Sequence, residues 1–268
     1  MPSIDYLITT FKKSDEEIAR IIESSNIKGT IIVGNQGMAV DEIKHISFSH
    51  ADVTLINQSN VGVSKNRNTL LKYSKSDYVT FVDDDMYFLS SEQQDVEDEL
   101  ENNQFNCVRF NVLSDNNQRP IKLLNKRGFV GFRQLSSFGV CGGFYKRQFL
   151  IDKSILFNEN IGPGTEINHG EDAVFNKTFL EHSKIYSIPI VSFHARQTES
   201  TWHEAHRDLN KELFSHGYNY YLLYGKYANF MSVMFLLTHM KCYPKGTKYS
   251  ILRKYMKAGI QRAKEDNK

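Results

Sequence analysis

Three consecutive aspartates, Asp83, Asp84 and Asp85, follow directly after the apolar run Tyr78–Val82. Adjacent carboxylates repel one another, so a folded protein needs a cation or hydrogen-bond donors to hold them together. Oxygen ligands suit Mg²⁺ or Mn²⁺, and substrate phosphates often complete the shell of such an ion. In an extended segment Asp83 and Asp85 point the same way. The triplet therefore predicts a grip on a metal-bound diphosphate, with a solvated acidic turn as the alternative.

The chain before this triplet alternates short apolar runs with amphipathic segments. Strands are predicted at residues 5–11, 30–33, 53–56 and 78–82. Helical periodicity begins at Ser14 and again at Ser64, each time between two of these runs. Short apolar strands separated by helices indicate an α/β fold with a parallel sheet. Such sheets bind ligands at the carboxyl ends of their strands, which is where the triplet lies.

After the triplet the pattern is less regular. Short strands and glycine turns fill residues 105–150, a helix is predicted near Asp172, and a further strand is predicted at 185–193. Helical periodicity dominates the rest of the chain. We therefore predict one α/β domain over residues 1–203 and a helical, basic C-terminal extension over residues 204–268.

Composition excludes several classes of protein. The 268 residues are 40% hydrophobic and 24% charged, which excludes a disordered or fibrous chain. No run approaches the roughly 20 apolar residues that a membrane-spanning helix needs. The first residues lack the basic start and apolar run of a secretory signal. The three cysteines, Cys107, Cys141 and Cys242, are widely spaced and odd in number. Together these features predict a cytoplasmic protein.

Charge is distributed unevenly along the chain. Residues 226–268 contain ten Lys and Arg against two acidic residues, a net charge of +8, whereas the remaining residues have a net charge of −6. A basic segment on an acidic body favours binding to an anionic surface, such as lipid headgroups or nucleic acid. No nucleic-acid-binding module is recognisable, so we expect an anionic membrane surface and no nucleic acid partner. A solvated helical face is the alternative.

Four motifs, in order along residues 4–200, resemble those of glycosyltransferase family 2. Asn60–Asn68 contains a glycine and then an Arg-Asn pair that opens a helix, and Tyr78–Asp85 is a strand that leads into an Asp-x-Asp. Gly162–Thr165 and Gly170–Asp172 resemble the Gly-x-Gly-Thr and Glu-Asp motifs of that family. The resemblance implies a GT-A fold, which is Rossmann-like, and a metal-dependent, inverting transfer of a sugar from a nucleotide diphosphate to an acceptor hydroxyl.

The resemblance also implies roles for four acidic residues. Asp83 contacts the nucleoside, and Asp85 coordinates Mn²⁺ or Mg²⁺ on the diphosphate. Asp172 is the general base that deprotonates the acceptor hydroxyl, and Glu171 orients the acceptor. Inverting transfer requires a base opposite the leaving nucleotide and neutralisation of the departing diphosphate. Both requirements can be met only if these two parts of the chain converge at one cleft. The alternative for Glu171 and Asp172 is simple helix capping.

Four further residues are assigned to donor binding. Arg67 and Asp84 belong to the donor-side motifs, and Thr9 ends the first strand, where the family places nucleobase contacts. Asn35 follows the second strand, where family members usually carry an acidic residue that reads uracil or ribose. The expected donor is a uridine diphosphate sugar.

The remaining site residues lie in the second half of the chain. Gly142 and Gly143 resemble the acceptor-side segment of the family, where glycine permits close approach of a sugar to the backbone; a strand bulge is the alternative. Trp202 is expected to stack on the acceptor, although partial burial is the default for tryptophan. His194 follows a predicted strand, and metal-dependent members of the family often have a further histidine ligand at such a position. The resemblance therefore implies that His194 is a metal ligand; a packed or surface histidine is the alternative.

Other functions compete with this interpretation. A catalytically inactive nucleotide-sugar or carbohydrate-binding module would not require both the aspartate triplet and Asp172. Aspartyl phosphatases place their Asp-x-Asp on the first strand, and nucleotidyltransferases need an early glycine-rich basic loop, whereas residues 4–20 contain no glycine. We therefore expect a cytoplasmic transferase for surface polysaccharide synthesis, peripheral on the inner face of the membrane, with a glycan or lipid-linked acceptor.

Overall fold

The computed structural model describes residues 1–89, 91–132, 134, 138–197, 208–244 and 246–267. Within these residues the chain forms a mixed sheet of ten strands flanked by helices, followed by C-terminal helices, as the α/β prediction requires. The strands are β1 (Ile4–Phe11), β2 (Gly29–Gln36), β3 (Glu42–Ser47), β4 (Ala51–Gln58), β5 (Tyr78–Asp83), β6 (Met86–Tyr87), β7 (Cys107–Ser114), β8 (Gly128–Phe129), β9 (Gly143–Lys146) and β10 (Tyr186–Ala195). The helices are α1 (Asp15–Ser25), α2 (Val63–Tyr73), α3 (Glu92–Asn102), α4 (Arg147–Asp152), α5 (Glu171–His182), α6 (Leu209–Tyr224), α7 (Ala228–His239) and α8 (Tyr249–Asp266).

The sheet order is β3-β4-β2-β1-β5-β9-β7-β10-β6, with β8 paired to β10. Strands β4, β2, β1 and β5 run parallel, so their carboxyl ends lie at one edge. At that edge Thr9 stands opposite Gly34 on one side and Asp83 on the other. The first part of the sheet therefore presents the aspartate triplet where the strand pattern predicts a ligand site.

Aromatic packing fixes α5 against β5. The ring of Phe81, in β5, meets Phe157 and Phe175 edge to face, with centroid distances of 5.0 and 5.7 Å. Such pairs contribute about 0.5–1.5 kcal/mol each beyond the burial of their area. Because Asp83 is two residues beyond Phe81 and Asp172 is in the helix of Phe175, this contact helps to bring the two acidic motifs together.

The N-terminal elements follow the predicted pattern except for β3. Helix α1 begins with a capping box in which the Ser14 hydroxyl accepts from the backbone N–H of Glu17 and the Glu17 carboxylate accepts from that of Ser14. Strand β3 was not predicted. It has only two apolar residues, Ile43 and Ile46, and forms an edge that pairs antiparallel with β4 alone. An edge strand needs little apolar area, so its hydrophobic signal is weak.

The second half of the sheet departs from the parallel pattern. Strand β9 lies between β5 and β7 and pairs antiparallel with both. It comprises only Gly143–Lys146, which is too short to show an alternation of apolar and polar residues. The sheet is consequently mixed, with the antiparallel insertion beside the strand that carries Asp83.

Two glycines bring α6 and α8 into close contact. A Cβ atom at Gly217 would lie 2.1 Å from the carbonyl oxygen of Met256, and one at Gly259 would lie 2.0 Å from that of Phe214. The two helix backbones therefore approach more closely than a residue with a Cβ atom would allow at Gly217 or Gly259. None of the helices in the described part of the chain is long and apolar enough to span a bilayer.

Gly259→Ala is expected to lower the thermal unfolding midpoint. The added methyl forces α6 and α8 apart, and overpacking of this kind costs about 1–3 kcal/mol, more than the helix propensity gained by alanine. At about 2–4 °C per kcal/mol, the shift should be several degrees. Gly131→Ala is the control, because a Cβ there meets no atom within 4 Å. An unchanged midpoint for Gly259→Ala would contradict the close helix contact.

Candidate active site

Arg67 joins the acidic motifs from the two halves of the chain. Its guanidinium is buried, and Nη1 donates to Oδ1 of Asp172 at 2.6 Å. Nη2 donates to Oδ1 of Asp83 at 3.3 Å, and Oε1 of Glu171 lies 3.8 Å from Nη1. The structure thus brings Asp83 and Asp172 to the same guanidinium, so the two acidic motifs converge as predicted. Arg67 was assigned to donor binding, but its groups are directed at protein carboxylates.

The charges of this cluster are interdependent. Burial alone would lower the pKa of Arg67, but the carboxylates of Asp172 and Asp83 outweigh it and raise that pKa above its ordinary value. Desolvation by the surrounding protein raises the pKa of Asp83. The positive charge of Arg67 opposes this rise, and the negative charge of Asp172 adds to it. Because 47% of the Asp83 side chain is exposed, water moderates the effect and a ligand can reach the carboxylate.

Glu171 is the most strongly perturbed carboxylate of the cluster. Burial raises the pKa of Glu171 to about 7, the adjacent charge of Asp172 adds to the rise, and Arg67 opposes it. Near neutral pH, both protonation states of Glu171 are therefore populated, although only 11% of its side chain is exposed. Such a group can hold a hydrogen bond to an acceptor hydroxyl in either protonation state.

Glu171→Gln is expected to flatten the dependence of stability on pH. The folded-state pKa of Glu171 is raised above its ordinary 4.5, so the stability conferred by the protonated form is complete below pH 4.5 and lost as pH rises through about 7. At pH 8 the free energy of unfolding of Glu171→Gln should exceed that of the wild type by on the order of 1–3 kcal/mol. Thermal unfolding at pH 5 and pH 8 measures this, with exposed Glu23→Gln as control. Equal pH slopes for wild type and Glu171→Gln would contradict the assignment.

Asp172 is held in one orientation from both sides. Its Oδ1 accepts from Arg67, and its Oδ2 accepts from the backbone N–H of Val140 at 3.1 Å. A Cβ at Gly139 would lie 2.8 Å from Oδ2, so the loop needs glycine at that position. With 26% of its side chain exposed, Asp172 is partly accessible to solvent and held in one orientation, two properties that the predicted role of general base requires.

Arg109 fixes the loop that holds Asp172, and sequence reasoning missed it. From β7, its buried guanidinium donates to the carbonyl oxygens of Gly139 and Cys141 at 2.7 and 3.1 Å. It also lies over the ring of Phe138, 4.6 Å from the centroid. These contacts position the Val140 N–H toward Asp172. A single arginine in an apolar strand, Val108-Arg109-Phe110, was the available signal.

Cys141 also lies in this cluster without being predicted. Burial raises the pKa of its thiol well above the ordinary value, and the charge of Asp83 raises it further against the opposing effect of Arg67. The thiol therefore stays protonated at neutral pH. This argues against a covalent mechanism with a cysteine nucleophile, since the thiolate is the reactive form.

The Gly-x-Gly-Thr loop lies beside the start of α2. The Ser64 hydroxyl donates to the carbonyl oxygen of Ile161 at 2.6 Å, and the Val63 N–H donates to that of Pro163 at 3.0 Å. A Cβ at Gly164, where φ is +91°, would lie 3.1 Å from Cα of Gly62. The glycines of two separate motifs therefore permit the backbones of the two halves to touch.

Asp84 and Asp85 are held by neighbouring groups at the end of β5. The Thr10 hydroxyl donates to Oδ2 of Asp84 at 2.6 Å, and the backbone N–H of Gln197 donates to Oδ2 of Asp85 at 3.0 Å. In the part of the chain that the structure describes, no three His, Cys, Asp or Glu side chains form a metal cluster. The donor set of Asp83 and Asp85 instead fits an ion held by one or two carboxylates and completed by substrate phosphates and water.

His194 lies near the aspartate triplet, but its two ring nitrogens contact carboxylates outside the triplet. The pairing of β10 with β6 sets His194 opposite Tyr87, close to the chain just after Asp85. Its Nε2 is 2.9 Å from Oε1 of Glu92, and its Nδ1 is 3.6 Å from Oδ1 of Asp115. For His194 to act as the predicted metal ligand, one ring nitrogen must leave its carboxylate neighbour.

Thr9 and Asn35 are both buried at the carboxyl ends of β1 and β2. Thr9 is buried in the sheet between Gly34 and Asp83. Asn35 is completely buried, and its amide binds the backbone of Lys13 and the side chain of Asn57. These hydrogen bonds give Asn35 a structural role, and the predicted donor contact would require its amide to leave one of these partners.

Asn66 stands where the family usually has a small residue, and Gly34 accommodates it. A Cβ at Gly34 would lie 1.9 Å from Oδ1 of Asn66. The Asn66 amide donates to the carbonyl oxygen of Gly34 at 2.8 Å, and its Oδ1 accepts from Gln58 at 2.7 Å. The larger side chain is thus satisfied by hydrogen bonds between α2 and the sheet.

The acceptor-side glycines pack inside the protein. A Cβ at Gly142, where φ is +80°, would lie 2.9 Å from the carbonyl oxygen of Phe110, and one at Gly143 would lie 2.7 Å from the Tyr145 hydroxyl. Both glycines therefore allow close packing against β7 and β9, and their predicted contact with an acceptor sugar stays a prediction. Trp202 lies outside the described residues.

The C-terminal helices touch the start of α5. Asn219 of α6 donates to the carbonyl oxygen of His169 at 2.6 Å. Gly170, with φ of +99°, forms the turn into α5, and a Cβ there would lie 2.2 Å from Nδ2 of Asn219. The extension is therefore packed directly against the turn that presents Glu171 and Asp172.

Solved structures with the same fold include S. aureus TarS. Its 1–349 fragment in complex with UDP-GlcNAc superposes with a TM-score of 0.62 at 15% identity, covering 89% of this chain and 73% of that one. The uncomplexed fragment gives 0.62 at 14% identity, with 98% and 82% covered, and the complex with UDP gives 0.57 at 16%, with 92% and 76% covered. No curated protein shows significant sequence similarity to the chain.

The family resemblance suggested by the motifs is confirmed by a family model. The model described as Glycosyl transferase family 2 matches residues 7–182, which include the aspartate triplet, Arg67 and the Glu171-Asp172 pair. The match ends at the last residue of α5, before β10 and the C-terminal helices. The chain therefore belongs to glycosyl transferase family 2 and is a glycosyltransferase with a GT-A-like fold.

Proposed function

We propose that the protein transfers a sugar from a nucleotide diphosphate donor to a hydroxyl of a glycan or lipid-linked acceptor, with inversion at the anomeric carbon. The observation that carries this proposal is the Arg67 junction, which holds Asp83 and Asp172 at one guanidinium. Inversion requires a base on the face of the anomeric carbon opposite the leaving diphosphate, so the donor-side and acceptor-side carboxylates must lie close together. This arrangement supports a single-displacement transfer.

In the proposed step, Asp172 takes the proton of the acceptor hydroxyl as the acceptor oxygen forms its bond to the anomeric carbon. The bond from that carbon to the diphosphate oxygen breaks, and its electron pair leaves with the nucleotide. Arg67 and the Val140 N–H keep the Asp172 carboxylate oriented, and Glu171 holds the acceptor. Asp83 would contact the nucleoside, and Asp85 would hold Mn²⁺ or Mg²⁺, which supplies charge neutralisation to the diphosphate when bound.

A uridine diphosphate sugar is the proposed donor. The TarS structures that share this fold contain UDP-GlcNAc and UDP, which supports the choice of nucleotide. Asp83 and Asp84 lie at the carboxyl end of β5, where the nucleoside and diphosphate of such a donor would lie. Because the Asn35 amide is hydrogen-bonded within the protein, we expect backbone groups at the ends of β1 and β2 to contact the nucleobase.

We also propose that this transfer takes place in the cytoplasm, in the synthesis of surface polysaccharide, with the enzyme peripheral on the inner membrane face. The basic segment 226–268 and the predicted reducing environment support this location. Residues 1–203 are proposed as the catalytic domain, and residues 204–268 as an extension that supports the α5 turn and faces the anionic surface.

Asp85→Ala is expected to abolish Mn²⁺-dependent turnover of a UDP-sugar. Loss of a carboxylate that holds the ion removes the neutralising charge from the leaving diphosphate, which should reduce slow donor hydrolysis by a factor on the order of 100 or more. The same variant should lose the Mn²⁺-dependent thermal stabilisation by UDP. Exposed Asp98→Ala is the matched control and should behave like wild type.

Three results of these assays would overturn the proposal. Turnover of phosphatase substrates without turnover of any nucleotide sugar would indicate a metal-dependent phosphatase. Binding of UDP-sugars without hydrolysis or transfer to any acceptor would indicate an inactive binding module. Formation of a nucleotide sugar from nucleoside triphosphate and sugar phosphate would indicate a nucleotidyltransferase.

A further inference from the structure

Helix α7 presents an apolar stripe that nothing in the described chain covers. Four large side chains that share one side of this helix and its N-terminal turn are 44–63% exposed. They are Tyr227, Phe230, Met234 and Leu237. Their spacing of three, four and three residues is that of one helix face. Exposed apolar residues are common singly, but a continuous row marks a surface with a partner.

The opposite face of α7 packs inward and fixes the direction of the stripe. Ala228, Ser232 and Leu236 are buried on that side, with Leu236 in a cluster formed with α6 and α8. Arg253 of α8 donates to the Ser232 hydroxyl at 2.9 Å and to Oδ1 of Asn229 at 3.1 Å. The helix therefore cannot turn its apolar stripe into the protein without breaking these contacts.

The charge around the stripe selects the partner. No Asp or Glu occurs from Leu213 to Lys264, and the segment 226–268 has a net charge of +8. Lys226 and Lys241 are exposed at the two ends of α7. A second copy of this chain would bring an identical positive surface against the first, and the two would repel. An anionic bilayer offers both the negative charge and the apolar interior that such a helix requires.

We propose that α7 lies in the plane of an anionic membrane surface, with the stripe Tyr227, Phe230, Met234 and Leu237 buried among the lipid headgroups and upper acyl chains. Tyr227 and Phe230 suit the interface, where aromatic side chains concentrate. This inference deepens the proposed peripheral association and locates it on α7 rather than on the basic residues alone. It does not depend on glycosyl transfer, because vesicle binding is measured without a donor.

The test is co-flotation of the full chain with vesicles of phosphatidylcholine alone and with 30% phosphatidylglycerol. The wild type should bind the anionic vesicles only, and Phe230→Ser/Leu237→Ser should weaken this binding about tenfold or more because two apolar side chains no longer enter the lipid. The control is Val40→Ser/Leu156→Ser, which removes two comparably exposed apolar side chains elsewhere. Thermal unfolding and donor hydrolysis in solution should be unchanged in both doubles, which separates this inference from the transferase proposal.

Three outcomes would overturn the inference. The wild type could fail to bind anionic vesicles at low salt. The stripe variant could bind as tightly as wild type, with binding abolished by 0.5 M NaCl, which would assign attachment to the basic residues alone. Light scattering could show a dimer of the wild type that the stripe variant lacks, without vesicle binding, which would assign the stripe to a second copy of the chain.

Discussion

Asp172→Asn should retain binding of the nucleotide sugar and lose transfer by about 10²–10⁴-fold, the contribution typical of a general base. The amide keeps the size of the side chain and can still accept from Arg67 or from the Val140 N–H. It cannot accept the proton of the acceptor hydroxyl. Donor binding measured by calorimetry and product formation measured with an acceptor separate the two effects.

The control for this variant is Asp52→Asn, which changes an exposed carboxylate near the start of β4, at the opposite end of the parallel strands. It should leave both binding and transfer unaltered. Unchanged transfer by Asp172→Asn would eliminate this residue as the base. Loss of donor binding together with transfer would show that the neutral amide disrupts the Arg67 junction.

Arg67→Met should be the most destabilising single substitution in the site. It leaves Asp83, Asp172 and Glu171 close together without the cation that compensates them. Removing one partner of a buried ion pair costs about 3–5 kcal/mol, so the thermal midpoint should fall by roughly 10 °C at pH 7.

The loss should depend on pH in a defined direction. Arg67 opposes the rise in the pKa of Asp83 and of Glu171, so without it both pKa values lie further above those of the unfolded state. Their stabilising protonated forms are therefore complete below about pH 4 and are lost as pH rises toward neutrality. The difference between wild type and Arg67→Met should accordingly widen from pH 4 to pH 7. Arg67→Lys, which keeps the charge but not the two-pronged donor, should recover part of the loss. A constant difference across this range would contradict the role of Arg67.

The acidic motifs illustrate what can be predicted from sequence. A carboxylate triplet after an apolar strand is conspicuous because unpaired charge at that position is costly, and its place at the carboxyl edge of the sheet follows from strand direction. The convergence of this triplet with Glu171 and Asp172 was predicted from chemical need. It is realised by the packing of Phe81 against Phe157 and Phe175, which the sequence does not reveal.

The glycines and amides illustrate what residue type alone leaves open. Gly142, Gly143 and Asn35 are of types that can bind ligands, but the same types satisfy close backbone packing and buried hydrogen bonds. Which of these uses applies depends on what lies within a few ångströms, and the neighbours come from distant parts of the chain. For Gly142 the neighbours include Phe110 and Val112, which lie 32 and 30 residues earlier.

The sequence by itself determined the family, the α/β class, most strands and helices, and which carboxylates are candidates for the chemistry, because these properties follow from local motifs, from periodicity and from charge that must be compensated. Only the tertiary structure decided that Arg67 and Arg109 position those carboxylates, that β9 inserts antiparallel into the sheet, and that α7 turns an apolar row outward. Each of these depends on contacts between residues far apart in the chain, and such contacts have no signature in local composition.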